Sequence, residues 1–237
     1  MKLTILGNNG PYPAAGGACS GYLLSSDSGN TNILIECGTG TLANLSRYIA
    51  WEDLDAVILS HLHFDHMSDM LPMQYALQFN PRPDPLPVYC PEKPEQVRSM
   101  LNVPAYALKP MEEAQIGEIS ISFFPVRHPV QCFALRAYCD GKTFVYTGDT
   151  NEVTGLAEFA QNADVLLADS GLLSADWKEA APHLSPKGCA QLAADANAKK
   201  LLLTHLNPRY TPAQHEAEAQ SIRTDAQYVR IGECYQI

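Results

Sequence analysis

The sequence predicts a layered α/β sandwich. Short apolar runs with strand character recur through both halves of the chain, and segments of helical spacing fall between them. Neither a linker nor a short-period internal repeat interrupts the pattern. The chain has 237 residues, a normal length for one large α/β domain, so a single domain over residues 1–237 is expected.

The elements follow in order. "KLTILG" is a first strand, "NNGPYPAAGGACS" a Gly/Pro-rich loop and "GYLLSS" a second strand. After the turn "SDSGN" comes a third strand, "TNILIECG". "TGTLANLSRYI" places Leu42, Leu45 and Ile49 on one helical face. "AVILS" is a buried strand, "MSDMLPMQYALQF" a helix, and "NPRPDPLPVYC" a loop that ends in a strand. "ISISFFPVRH" alternates. "CFALRAYCDGKTFVYTGD" reads as two strands joined by a tight "DGK" turn. "VLLADSG" is another buried strand. "SPKGCAQLAADANA" is a helix with Ser185 as N-cap and Pro186 in its first turn. "KLLLTHL" is a strand, "TPAQHEAEAQSIR" a helix, and "QYVRIGECYQI" one terminal strand.

A repeated event points to chemistry. Strands end in residues that bind metals: "AVILSH" in His61, "FFPVRH" in His128, "FVYTGD" in Asp149 and "LLLTH" in His205. Leu59 to Met70, "LSHLHFDHMSDM", adds a dense cluster of three histidines and two aspartates. One histidine at a strand end is usually structural, but "HLHFDH" as a unit is hard to explain that way. Imidazole with carboxylate suits borderline divalent ions: zinc, with iron and manganese as alternatives. On a loop leaving a strand, His61 and His63 can serve one position while Asp65 and His66 reach another. That arrangement suits two ions side by side, with Asp149 as the bridging carboxylate.

Composition narrows the partners. The net charge is −10, and no basic cluster stronger than "AKKL" occurs, which disfavours long RNA or DNA as the main ligand. The seven cysteines form no CxxC pair and several lie in apolar runs, so they read as reduced, mostly buried thiols of a cytoplasmic protein. Neither a signal peptide nor a membrane-length apolar run is expected. "GGACSG" lacks the Lys-Ser/Thr of a phosphate-binding loop. His215, in "PAQHEAEAQ", is expected in solvent on a polar helix.

At these residues the chain resembles the metallo-β-lactamase fold superfamily, whose signature is H-x-H-x-D-H. It is most similar to the ribonuclease Z-like and cyclic-phosphodiesterase-like branch. "LGNNGPYPAAGGACSGYLL", "ILIECGTGT", "YTGDT" and "LLLTHLNPRY" carry the likeness over nearly the whole chain. The resemblance implies a four-layer αββα sandwich. It implies two divalent ions, zinc first and manganese or iron as alternatives. His61, His63 and His128 would hold one ion and Asp65, His66 and His205 the other, with Asp149 bridging. The nucleophile would be water or hydroxide between the ions, oriented or deprotonated by Asp65. "LLADSGL" and "APHLSPKG" place Asp169 and His183 where the branch has a carboxylate and a histidine. There His183 would protonate a departing alkoxide, oriented by Asp169; the plainer reading is a histidine that merely ends a loop. Arg209 and Tyr210 either contact a phosphate or brace their loop.

The departures from the branch bear on substrate. Ribonuclease Z carries a long tRNA-gripping arm between the third histidine and the bridging aspartate. Here His128 and Asp149 stand only 21 positions apart, filled by the hairpin, and Phe64 occupies a position where ribonuclease Z commonly has glycine. The expectation is a metal-dependent hydrolase of a small phosphodiester, cyclic or linear. The alternatives are a lactone or thioester hydrolase, a tRNA 3′ endoribonuclease, and a non-enzymatic metal-binding structural or sensing protein. The partners expected are a small-molecule phosphodiester or ester and a second copy of the chain in a dimer, with neither a membrane nor long nucleic acid.

Overall fold

The computed structural model describes residues Met1–Ile237. Chain order gives β1 (Lys2–Gly7), β2 (Gly21–Ser25), β3 (Asn32–Ile35), α1 (Thr41–Leu45), β4 (Ala56–Ile58), α2 (Phe64–Met67), α3 (Met70–Phe79), β5 (Leu86–Tyr89) and α4 (Glu95–Arg98). There follow β6 (Tyr106–Lys109), β7 (Ala114–Ile116), β8 (Ile119–Pro125), β9 (Phe133–Cys139), β10 (Lys142–Tyr146), α5 (Leu156–Phe159) and β11 (Val165–Asp169). The chain ends with α6 (Pro186–Asp195), β12 (Leu201–Thr204), α7 (Pro212–Gln220), β13 (Gln227–Tyr228) and β14 (Cys234–Gln236). No helix is long and apolar enough to cross a membrane.

The strands form two seven-stranded sheets, ordered β14-β1-β2-β3-β4-β5-β6 and β13-β12-β11-β10-β9-β8-β7. Each is mixed, with parallel runs from β3 to β6 and from β10 to β13. The sheets face each other across an apolar layer that includes Leu3, Ile5 and Ile33 from one and Leu135, Phe144 and Leu167 from the other. A second cluster packs α2 and α3 on the outer face of the first sheet through Met67, Met70 and Met73. A third packs α6 and α7 on the second sheet through Cys189, Ala190, Ala193 and Ala219. The result is the expected αββα sandwich: each sheet buries both faces, so its central strands are almost wholly apolar.

Local rules account for the element ends. The hairpin turn Asp140–Gly141 has both residues at positive φ, 50° and 74°, the geometry that a two-residue I′ turn needs. Ser185 caps α6 by accepting from Gly188 N–H at 3.1 Å, with a proline in the first turn. Helix α7 starts in a reciprocal capping box between Thr211 and Gln214.

Other expectations are corrected. The helix through Ile49 stops at Leu45. The helix expected from Met67 starts only at Met70, after a separate short helix, α2, that contains Asp65 and His66; at the break the Asp69 carboxylate accepts from Leu42 N–H of α1 at 2.9 Å. The single terminal strand is two strands in different sheets: β13 pairs with β12, and β14 with β1. Gly232, at φ 91°, allows the chain to turn between them. The short elements α4, α5, β6 and β7 carry too few residues for a periodic signal.

The inter-sheet layer gives a direct test. Phe144 is fully buried there. Phe144→Ala should cost about 3–5 kcal/mol of unfolding free energy, read as a lower midpoint in urea; an unchanged midpoint would contradict this packing.

Candidate metal centre

Topology puts the polar residues together. Strands β1, β3, β4, β8, β10, β11 and β12 run in directions that bring their C-terminal ends to one rim of the sandwich. Glu36 follows β3, His61 follows β4, His128 follows β8, Asp149 follows β10, Asp169 ends β11 and His205 follows β12. Ligand sites of open parallel sheets lie beyond the carboxyl ends of the strands for the same reason. Backbone bonds stitch the rim across the sheets: Phe133 N–H to Ser60 O at 3.0 Å, Leu206 N–H to Asn8 O at 2.7 Å and Gly10 N–H to Leu206 O at 3.0 Å.

All seven ligand candidates converge. His63 Nδ1 lies 3.0 Å from His61 Nε2 and 3.1 Å from His128 Nε2. His205 Nε2 lies 3.2 Å from both His66 Nε2 and Asp65 Oδ2. Asp149 Oδ2 faces both groups, 3.3 Å from His66 and His205 and 3.7 Å from His61. Donors on a tetrahedral ion with bonds of 2.0–2.1 Å stand about 3.3 Å apart. Separations of 3.0–3.7 Å bracket that spacing, so the same atoms could share an ion with little movement. His61, His63 and His128 are held below the ordinary imidazole range, chiefly by burial, and so stay neutral, the form that binds metal. Burial opposes charge on Asp65 and Asp149, yet the surrounding histidines hold both carboxylates well below their usual range. The donor set thus fits two cations.

Outer groups fix the rings. His61 Nδ1 lies 3.0 Å from Ser60 Oγ, and His128 Nδ1–H donates to Pro182 O at 3.1 Å. His66 Nδ1 faces Glu36 at 3.5 Å, and His205 Nδ1 faces Asp169 at 3.5 Å. The first two partners orient their imidazoles and set the tautomers; His66 Nδ1 and His205 Nδ1 make no hydrogen bond, so the carboxylates that face them act by charge. Glu36 and His205 are both non-glycine residues in the left-handed region, at φ 59° and 63°. That conformation costs about 1–3 kcal/mol where the surroundings enforce it, and it clusters at functional sites. Glu36 is absent from the sequence-based set, although it ends a strand in "ILIE" just as His61 and His205 do.

Asp169 and His183 also meet. His183 Nδ1–H donates to Asp169 Oδ2 at 2.8 Å, and its ring stacks on His205 with centroids 4.8 Å apart. Burial disfavours the imidazolium, but the Asp169 carboxylate outweighs it and lifts His183 to about 9. Asp169 additionally accepts from Thr150 N–H at 3.1 Å and Gly171 N–H at 2.9 Å. It therefore touches both the proton-donor candidate and a ligand candidate.

Three remaining readings resolve. Arg209 Nη2 lies 3.0 Å from Asp176, and the Tyr210 hydroxyl donates to the same carboxylate, so the geometry supports loop bracing. His215 is corrected: it is fully buried, with Nδ1 3.2 Å from Ser170 Oγ and its ring beside Tyr210 and Tyr228. The polar composition of α7 hid that its one inward stripe is His215 and Ala219. Phe64 is 61% exposed at the start of α2, between His63 and Asp65. The cysteines are all free, and six are buried. A surface groove of about 1050 Å³ that includes Asp27, Asp53 and Asp55 shares no residue with the centre.

Fold and centre together mark a protein of the metallo-β-lactamase type. Residues 31–206 match the family described as "Beta-lactamase superfamily domain", and the chain belongs to that superfamily. It is similar to "Probable metallo-hydrolase YhfI" of Bacillus subtilis, at 32% identity covering 98% of this chain and 95% of the relative. The crystal structure of YhfI superposes with a TM-score of 0.92 over 99% of both chains, at 31% identity. Ribonuclease Z of Archaeoglobus fulgidus is 24% identical over 89% of each chain. Human tRNase Z, short form, shares the fold with a TM-score of 0.82 over 100% of this chain and 99% of that one, at 19% identity.

Two measurements test the centre. Elemental analysis of protein purified without chelators should approach two transition ions per chain; one or none after supplementation with zinc, manganese or iron would contradict a dinuclear site. A Cβ on Gly10 would stand 1.9 Å from His205 Nε2. Gly10→Ala should therefore displace that imidazole and reduce metal content towards one ion per chain.

Proposed function

We propose that the chain is a dinuclear metal-dependent hydrolase acting on a small phosphodiester. The metals would be divalent, zinc first and manganese or iron as alternatives. The observation that carries this reading is the Asp169–His183 pair, 2.8 Å apart, set against the seven-donor cluster. Two ions held by His61, His63, Asp65, His66, His128, Asp149 and His205 would supply Lewis acidity and an activated water at neutral pH. The rest falls to the chain. Asp65 orients that water. With Nδ1–H committed to Asp169, His183 presents its Nε2 proton on the far side of the ring. As the P–O bond to the leaving group breaks, that proton passes to the departing alkoxide. Phosphodiesters with poor leaving groups need such a donor; a thioester, which expels a thiolate, needs it less.

The likeness to the probable metallo-hydrolase YhfI supports hydrolysis, and the ribonuclease Z likeness supports phosphodiester chemistry. Size and charge support a small substrate. Only the β9–β10 hairpin lies between His128 and Asp149, the rim carries the exposed ring of Phe64, and the net charge is −10. The second reading, a tRNA 3′ endoribonuclease, draws on the same relatives.

A substrate pair tests the donor. General acid catalysis contributes roughly 10²–10⁴-fold. His183→Ala should lose about that much on a diester with an alkyl leaving group and far less on a nitrophenyl diester, whose leaving group needs no proton. Metal content should stay unchanged; equal losses on both substrates would remove the donor role. Asp169→Asn should show the same selectivity and also weaken metal binding, because Asp169 faces His205 as well. A further assay separates the two substrate classes: precursor tRNA should remain uncleaved at physiological salt, and efficient 3′ processing would favour the second reading.

A further inference from the structure

His183 sits on a segment, residues 171–184, with no helix or strand. Connections of this length without regular structure are uncommon and usually functional. Its internal backbone bonds are few: Asp176 and Trp177 N–H to Leu173 O, and Ala181 N–H to Lys178 O. Something else must hold the imidazole in place.

The fully buried Asn151 fills that role. Its amide donates to Ala181 O at 2.7 Å and Glu179 O at 3.1 Å, with Lys178 O further away at 3.4 Å. A primary amide has two hydrogens, so the two short bonds use its donor capacity. Its own oxygen accepts from Glu152 N–H at 2.7 Å, and its backbone N–H donates to Arg127 O at 3.0 Å. The side chain is thus locked at its base and aimed at the segment just before His183. The preceding residues complete the pattern. Asp149 faces both halves of the metal centre, and Thr150 N–H donates to Asp169, the partner of His183.

We propose that Asn151 is a positioning residue for His183, so that the tripeptide Asp149–Thr150–Asn151 aligns the proton donor with the metal centre. This rests on the reading of His183 as general acid. Residue 151 touches neither ligand nor substrate; it acts through the carbonyls of residues 179 and 181. Arg127 Nη2 shares Glu179 O at 2.9 Å, and Trp177 Nε1–H donates to His183 O at 3.1 Å. These two bonds brace the segment, but Arg127 is exposed, whereas Asn151 is buried and faces the segment from beneath.

The test compares Asn151→Ala, His183→Ala and the double variant, each zinc-loaded, on the alkyl and nitrophenyl diesters. Hydrogen exchange of the peptide spanning 172–185 is followed with and without zinc. A misplacement of about 1 Å can cost roughly 10²-fold in rate. Asn151→Ala should lose about 10- to 100-fold in kcat on the alkyl diester and less than about 3-fold on the nitrophenyl one. Exchange in the segment should accelerate; zinc affinity should fall as well, because Pro182 O in the same segment accepts from His128, so the rates are compared at saturating zinc. Because both changes disable one device, the double variant should be no slower on the alkyl diester than His183→Ala alone. Unchanged exchange, or equal losses on both substrates, overturns the proposal while leaving the role of His183 intact. If His183→Ala is itself unselective, the general-acid reading falls and this proposal with it, even where exchange accelerates. Should Asn151→Ala fail to fold, Asn151→Ser, which keeps a shorter donor, carries the same comparisons.

Discussion

One carboxylate has to serve two groups of imidazoles. Asp149 Oδ2 faces His61 on one side and His66 and His205 on the other, while almost fully buried. Much of the architecture follows from that requirement. The histidines come from both sheets, so the two sheets must end at a common rim. The strand directions achieve this, and the bonds from Phe133 to Ser60 and from Leu206 to Asn8 hold the rims together. The left-handed backbone at Glu36 and His205 is a cost of the same convergence, because each strand has to turn its last side chain inward.

The electrostatics are demanding. Glu36, Asp65, Asp149 and Asp169 bring four carboxylates into a small volume, each at most 9% exposed. Buried charge is tolerated only when paired or when it coordinates a metal. His66, which burial alone would keep neutral, is driven well above its ordinary range by Asp149, Asp65 and Glu36. Three other imidazoles stay neutral beside it, and a cation taken up by His66 would displace the proton that the carboxylates hold there. Such a mixture of anionic and neutral donors suits divalent cations, and the three apolar clusters supply the stability that lets the strained rim persist.

Likeness of fold does not carry a substrate with it, because function lives in the site and its surroundings. In this chain a hairpin occupies the interval before Asp149. The segment over the opening is fastened by Asn151, Trp177 and the Asp176–Arg209–Tyr210 cluster. The surroundings of His183 are therefore set by loops, and the cluster of candidate ligands by strand ends and the loop and short helix that follow β4.

The sequence by itself determined a layered α/β sandwich, which its family resemblance refined to αββα, most strands, the "DGK" hairpin, the Ser185 cap and the candidate ligands that the fold gathers at one rim. These signals are local: alternation, turn residues and capping residues act within a few positions, and the ligand-type residues announce themselves by chemistry, four at strand ends and three in the dense "HLHFDH" cluster. It did not reveal α4, α5, β6 and β7, which are too short for periodicity. Nor did it reveal the division of the last strand between two sheets, which depends on which edges were free to pair. Tertiary structure alone decided that Glu36 backs His66, that Asp169 serves two histidines, that His215 is buried, that Arg209 and Tyr210 brace a loop, and that Asn151 holds the His183 segment. Each of these is a contact between residues far apart in the chain. Burial and hydrogen-bond geometry at such contacts come from how two sheets pack, and no local pattern of residue types encodes that distance.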